Sequence, residues 1–339
     1  MGTKIAIIGA GRVGTGLGVL LSRKGYRITG IADVERSRAE ACVRRIAAEG
    51  GEDDLARPVT TDPCRAAADA DIIFVTTPDR ELSGVARRLA RCPASPSKPG
   101  LRAGAVLCQT SGALPSSVLR AEGLEALSVL SLHPLMSFAD RETAPERLAG
   151  AICVLEGDRD ALPAGERIVH DLGGRAISIE AQDKMIYHAA ACTASNYLVT
   201  LLHLARLLLA RIGIDGDAAT EMLLPLARST LDNIESVGTP EALTGPIERG
   251  DVAILEAHLA ALEEGEETGA TAAYALLGMI TAALASEKGT IGPNGRRQLE
   301  DLFSTALSAS LSRRESRGSG PDRPQRGGSG QERRSRADD

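Results

Sequence analysis

Lys4-Ile5-Ala6-Ile7-Ile8-Gly9-Ala10-Gly11-Arg12-Val13-Gly14 opens the chain with a short β-branched run that passes into three glycines at G-x-G-x-x-G spacing. The run suits a parallel strand buried on both faces. Beyond it, Val13, Leu17, Leu20 and Leu21 fall at i, i+4, i+7 and i+8, an apolar stripe for a helix that closes at Gly25. Strand, glycine turn and helix in this order are the context that gives a weak motif its meaning as a dinucleotide-binding fingerprint. Gly9 makes the tight turn, Gly11 lets the backbone approach a pyrophosphate, and Gly14 permits close packing of helix on strand. The unpaired N–H groups of the helix start, around Arg12 and Val13, then face the anion. A second strand, Arg27 to Ala32, ends at Asp33, where an acid meets the ribose hydroxyls of NAD. Arg36, Ser37 and Arg38 follow at once and suit a 2′-phosphate, so NAD and NADP both stay open, with the acid favouring NAD.

Working along the chain, Ala39, Cys42, Val43, Ile46 and Ala47 repeat at helical spacing, and Asp62-Pro63 is a cap-and-proline helix start after a brief strand at Pro58 to Thr60. Asp71 to Thr76 is a continuous apolar run for the middle of a parallel sheet, broken at Thr77-Pro78-Asp79, a loop expected at the cofactor. Leu82, Val85, Ala86 and Leu89 mark the returning helix, and the Pro- and Ser-rich stretch from Cys92 to Gly104 reads as a surface connection. Ala105 to Gln109 and Leu127 to Leu132 are further strands, ending in Thr110-Ser111-Gly112 and His133-Pro134. The ends of such strands lie along one edge of an open sheet, where ligands bind, which puts Thr76, Thr77, Pro78, Ser111 and His133 near the cofactor by topology alone. Strands at Ala151 to Leu155 and Ile177 to Ile179 flank one more helix and extend the sheet. From Gln182 onward the pattern is helical, with helices over Asp183 to Ile212, Asp217 to Ser236, Asp251 to Leu262, Thr271 to Ser286 and Asn294 to Leu311.

A chain of 339 residues holds two domains and a sizeable core. Its net charge of -6, with 39 basic residues against 45 acids, is an ordinary mixed surface that does not suggest nucleic acid. The six cysteines, Cys42, Cys64, Cys92, Cys108, Cys153 and Cys192, have no C-x-x-C pairing and no metal spacing, and are expected to be reduced thiols of a cytoplasmic protein. The first strand begins almost at residue 1, and no signal peptide is expected. His170, His203 and His258 lack partners at ligand spacing, so no metal is expected. Met185 to Ala205 carries no Asp, Glu, Lys or Arg and is about as long as a membrane span. His188, Ser195, Asn196, Thr200 and His203 interrupt it, and it reads as a central helix buried in a helical domain or a dimer, without a membrane. Residues 313 to 339 are Arg, Gly, Ser, Pro and Asp with almost nothing to bury, the composition of a disordered tail.

Hydride transfer needs a substrate held against the cofactor and a proton donor or acceptor. Lys184 and His188 are four apart, with Ser195 and Asn196 two turns further, a polar stripe on an apolar rod. Only five of the basic residues are Lys, and Lys184 sits in a first helical turn that disfavours a cation. A desolvated Lys can release its proton near neutral pH, which Arg cannot. Ser111 and His133 are candidates to position substrate. Arg249, in the inter-helix turn Leu243 to Asp251, has the fork geometry to clamp a carboxylate.

The combination of Gly9 to Gly14, Thr77-Pro78-Asp79, Ser111-Gly112-Ala113, Ser131-Leu132-His133-Pro134-Leu135, Asp183 to Asn196 and Leu243 to Asp251 resembles the bacterial Rossmann-like proteins whose helical C-terminal domain carries an unknown-function label. The likeness covers most of residues 3 to 311. These proteins are similar in architecture to pyrroline-5-carboxylate reductases, prephenate dehydrogenases and β-hydroxyacid dehydrogenases. The resemblance implies an α/β fold in which a Rossmann doubly wound parallel sheet (1–181) precedes an all-α 6-phosphogluconate-dehydrogenase-like domain (182–312). It implies an NAD(P)-dependent oxidoreductase acting on a small oxo or imino compound at the cleft between domains, with a homodimer through the helical domain. Lys184 and His188 repeat the lysine and asparagine spacing of the β-hydroxyacid dehydrogenases, with His in place of Asn. An NAD(P)-binding sensor without turnover and an oxidoreductase using the deazaflavin F420 are the alternatives.

Overall fold

Strand β1 (Lys4–Ile8) sends Ile5 and Ile7 into one apolar core and Ala6 and Ile8 into a second, and none of the four is more than 4% exposed. A strand buried on both faces must lie in the middle of a sheet covered on both sides. The computed structural model describes residues 2–50, 59–92, 100–263 and 269–318. Over them β1 is followed by α1 (Arg12–Arg23), β2 (Arg27–Ala32), α2 (Arg36–Gly50), β3 (Val59–Thr60), α3 (Pro63–Ala67), β4 (Ile72–Val75), α4 (Leu82–Ala90) and β5 (Val106–Gln109). Then come β6 (Ser128–Pro134), α5 (Ala144–Leu148), β7 (Ile152–Gly157), α6 (Leu162–Asp171) and β8 (Arg175–Ser178). The described chain ends in the helices α7 (Lys184–Ala210), α8 (Gly216–Val237), α9 (Val252–Glu263), α10 (Ala270–Lys288) and α11 (Pro293–Gly318).

The strands form one sheet in the order β3-β2-β1-β4-β5-β6-β7-β8. Its first core joins Ile5, Ile7, Phe74, Leu130 and Leu132 to Leu17 and Leu21 of α1, Val43 and Ile46 of α2 and Ile168 of α6. The second joins Ile8, Ile73, Val75, Leu107 and Val129 to Ala66 of α3 and to Leu82 and Leu89 of α4. Each large side chain buried in this way contributes about 1.5–3 kcal/mol. Reversal of the strand order at β1 and β4 opens the crevice in which such sheets bind ligands. A fold of the α/β doubly wound type is therefore the observed one.

Several features differ from the sequence reading. The sheet is not wholly parallel, because β7 runs antiparallel to β6, pairing Ser131 with Glu156 and His133 with Val154. Between them α5 packs on α1, where a Cβ on Gly16 would come within 2.6 Å of Leu148 Cδ1. A chain held at that edge can turn straight back, since an antiparallel neighbour needs no crossover. The cysteines are not all reduced: Cys64 in α3 and Cys92 just after α4 form a disulfide with an S–S distance of 2.03 Å, while Cys42, Cys108, Cys153 and Cys192 are free. Helix α11 continues to Gly318, into the segment read as a tail, and the rest of 313–339 lies outside the described residues. So do Pro58, given to the third strand, and residues 93–99 of the surface connection.

The chain divides into two compact units, Met1–Leu198 and Val199–Asp339, with the division inside α7. In the second unit Leu255 and Leu259 of α9, Ala275 and Ala282 of α10, and Leu299 and Phe303 of α11 build a core of their own. Gly278 lets the helices close on it, because a Cβ there would lie 2.5 Å from the Phe303 ring. Lys184 is the fully buried residue of α7, and no part of its apolar window is buried, so within one chain it is not the buried central helix expected. Among the described residues α7 and α10 are long and apolar enough to cross a membrane by length and composition.

Candidate active site

The glycine turn after β1 has the shape its sequence requires. Gly9 has φ 105°, and a Cβ on it would meet the Thr76 backbone at 2.8 Å. Gly14 is packed harder still, since a Cβ would lie 2.2 Å from the Gly9 carbonyl oxygen and 2.5 Å from Thr76 Oγ1. Gly11 is the opposite case: it precedes α1 in an extended conformation, and a Cβ on it would meet nothing within 4 Å. No side chain caps α1, so its first N–H groups are left for an outside acceptor. Thr76 Oγ1 donates to the Gly9 carbonyl at 2.6 Å and ties the loop after β4 to the turn. Beside it the buried hydroxyl of Thr77 has no partner, and Pro78 leads into a short turn of 3-10 helix at Asp79–Glu81.

Asp33 is held at the end of β2 by two backbone donors, Ala10 N at 2.8 Å and Glu35 N at 2.9 Å. Its carboxylate therefore shapes the glycine turn from inside the chain. Arg36 pairs with Glu40 at 2.9 Å and Arg38 with Glu35 at 2.7 Å, so both are engaged by neighbouring carboxylates. Val13 packs against the first core, and the exposed Arg12 donates to the Phe138 carbonyl at 3.2 Å.

A second cluster forms where β5, β6 and α7 meet. Lys184, only 1% exposed, donates from Nζ to Ser131 Oγ at 2.7 Å and to the Ser111 carbonyl at 3.1 Å. Ser111 Oγ in turn donates to Asp79 at 2.8 Å and accepts from the N–H groups of Ala113 and Leu114. Gln109, fully buried, accepts from Ser111 N and donates to the Leu114 carbonyl at 2.8 Å, which fixes the loop. Burial pushes the Lys184 ammonium below the usual lysine range, opposed by the charges of Glu156 and Asp79.

Gly112 forms the floor below two imidazoles. A Cβ on it would lie 2.8 Å from His188 Nδ1 and 2.9 Å from His133 Nε2. The His133 imidazole is pushed down to about 4, first by burial and then by the charge of Lys184. It is neutral near pH 7. Its Nδ1 lies 2.6 Å from the Tyr187 hydroxyl, whose own pKa burial pushes up to about 12. The pair fits a Tyr187 O–H donated to Nδ1, leaving the His133 proton on Nε2. His188 Nε2 meets Cys192 Sγ at 3.5 Å, and its buried Nδ1 has no partner.

Of the residues singled out from sequence, the fold brings together Ser111, His133, Lys184 and His188. Asn196 lies two turns further along α7 on an exposed stretch, and Arg249 is in the second unit, paired with Asp251 at 3.6 Å. Glu156, Tyr187 and Gly112 join the cluster without having been proposed for it. Tyr187 falls between Lys184 and His188, which is a signal in hindsight. Glu156 carries none, because its place depends on the reversed direction of β7.

Residues 2–134 match the model of a Rossmann-like domain, and residues 151–281 match a domain of unknown function, DUF2520. No curated protein matches the chain. Among solved structures, protein TM1727 from Thermotoga maritima is similar at 24% identity and a TM-score of 0.63, over 84% of this chain and 99% of its own. BF3122 from Bacteroides fragilis, described as an NADP oxidoreductase, is similar at 19% identity and a TM-score of 0.59, over 91% and 98% of the two chains. A pyrroline-5-carboxylate reductase from Coxiella burnetii is similar at 14% identity and a TM-score of 0.50, over 93% and 98%. At these identities the likeness is one of fold. The Rossmann-like match covers the glycine turn and the strands up to β6, and the DUF2520 match begins at β7 and runs into the helices of the second half.

Proposed function

We propose that the protein is an NAD(P)-dependent oxidoreductase that transfers hydride to or from a small, carboxylated oxo or imino compound. The open space at Gly11, facing the uncapped start of α1, carries the reading, because such a turn accepts a pyrophosphate that a side chain would exclude. Gly9, Gly11, Gly14 and the first N–H groups of α1 would hold the pyrophosphate, Asp33 the ribose, and the unpartnered Thr77 hydroxyl would find its acceptor on the nucleotide. The fixed Asp33 carboxylate and the engaged Arg36 and Arg38 support NAD over NADP. When bound, the nicotinamide supplies or accepts the hydride.

The chain's own residues do the rest. His133 orients the substrate as a neutral donor from Nε2, and Ser111, its hydroxyl engaged by Asp79 and by the Ala113 and Leu114 N–H groups, positions the Lys184 ammonium through its carbonyl. His188, with a ring nitrogen left unpartnered, handles the proton. Lys184 acts from beneath as a fixed positive charge that favours the anionic form of a reacting oxygen or a substrate carboxylate. Calorimetric titration with NADH and NADPH, on wild type and on Gly11→Trp, tests the reading. NADH is expected to bind more tightly than NADPH, and Gly11→Trp to lose at least about tenfold in affinity, a change of about 1.4 kcal/mol. No binding to either nucleotide, or unchanged binding by the variant, would overturn it.

The same reading takes the protein as a homodimer. Met185, Ile186, Tyr197 and Val199 of α7 and Leu226 of α8 are each more than half exposed, and an apolar surface of this kind supports a protein interface. Sizing chromatography in detergent-free buffer is expected to give twice the chain mass of 35.3 kDa. Elution as a clean monomer would reject the dimer, and recovery only with detergent would favour a membrane.

A further inference from the structure

Glu156 is a buried carboxylate that the proposed chemistry leaves unused. It is 6% exposed and accepts from Ser116 N at 2.7 Å and Ser116 Oγ at 2.8 Å. In the antiparallel β6–β7 pair it stands directly opposite Ser131, and residues opposite one another project from the same face of a sheet. Ser131 Oγ is the atom that receives the Lys184 ammonium at 2.7 Å. The carboxylate and the ammonium are thus neighbours across one strand pair, each held by a serine.

We propose that Glu156 is a positioning residue of this site, whose buried negative charge keeps the Lys184 ammonium seated against Ser131 and the Ser111 carbonyl. An isolated ammonium with Lys184's burial would give up its proton or leave the interior. Asp79, reached through Ser111, is the second carboxylate, but it lies on an exposed turn where water weakens its field. Glu156 is the buried one and the stronger anchor. Among the described residues the other titratable groups of the cluster are Cys108 on β5, His133 on β6, and His188 and Tyr187 on Lys184's own helix, the last held protonated by burial. His133 and His188 carry no negative charge, and burial pushes the Cys108 thiol far above its usual range, so it too stays neutral. The negative charge around Lys184 is therefore that of the two carboxylates.

The inference rests on reading this cluster as the substrate side of an oxidoreductase, but its test needs neither cofactor nor turnover. The full-length protein labelled with 13C at the lysine ε-carbon gives few signals, since it has only five lysines, and loss of one signal in Lys184→Arg identifies the residue. Glu156→Gln keeps the shape and an acceptor for Ser116 while removing the charge. It is expected to lower the Lys184 titration midpoint by about one pH unit or more, whereas Glu156→Asp, which keeps the charge, should stay close to wild type. An unmoved midpoint in Glu156→Gln would overturn the proposal. If Glu156→Gln does not fold, the double variant Glu156→Gln, Lys184→Met decides. A double variant that folds as well as Lys184→Met alone supports the charge pairing, and failure to fold where Lys184→Met alone folds would assign Glu156 to the Ser116 hydrogen bonds alone and overturn it. Loss of NADH and NADPH binding in the calorimetric test would remove the oxidoreductase reading and leave this titration result standing.

Discussion

Gly14→Ala is expected to damage both the fold and the nucleotide site, and Gly11→Ala the nucleotide site alone. At position 14 the new methyl would fall 2.2 Å from the Gly9 carbonyl oxygen and 2.5 Å from Thr76 Oγ1, and both belong to the backbone-anchored contact that holds the turn. The obstacle is no flexible tip that can swing away, so α1 must lift off β1. Overpacking of this kind costs about 1–3 kcal/mol, and with backbone as the obstacle the upper end applies. Moving α1 also moves the N–H groups aimed at the pyrophosphate, so nucleotide affinity should fall about a hundredfold. At position 11 the same methyl meets nothing within 4 Å in the free protein, and thermal stability should stay near wild type. Thermal unfolding beside calorimetry with NADH separates the two variants. Equal stability for both would show that the packing at Gly14 does not carry the turn.

Lys184→Met should destabilise the protein and remove its activity together. The thioether fills much of the volume but gives nothing to the Ser111 carbonyl or Ser131 Oγ, and it leaves the buried Glu156 carboxylate without its counter-charge. Losing the two hydrogen bonds of the buried ammonium, with their acceptors left unpaired, costs about 1–3 kcal/mol. Activity should drop by at least about a hundredfold once a substrate is in hand, the scale of losing one preorganised charge or donor. Lys184→Arg keeps the charge but carries a bulkier planar group into a site 1% exposed, and should recover stability better than activity. A Lys184→Met protein as stable as wild type would mean that the ammonium is not the link between β5, β6 and α7.

The parts of this site legible in sequence are those built by residues near one another in the chain. The β-branched run, the glycine spacing and the apolar stripe of α1 are local patterns, and each element found there has the expected type. Ser111 and His133 fall at the same sheet edge because β5 and β6 run parallel and end on one side. The pairing of Lys184 with Ser131 spans 53 residues and that of His133 with Tyr187 spans 54, and no local pattern carries such contacts. The disulfide between Cys64 and Cys92 is not legible for the same reason, since a separation of 28 residues says nothing of a Cα–Cα distance of 5.4 Å.

A doubly wound α/β domain with a glycine turn, followed by helices, is written in the amino-acid order, because hydrophobic period and glycine geometry are properties of short segments. The antiparallel run of β7 beside β6, the place of Glu156 opposite Ser131 and the burial of Lys184 against Ser131 come from the tertiary fold alone. Those facts depend on register and packing between distant segments, where a reversal of one strand changes which side chains meet.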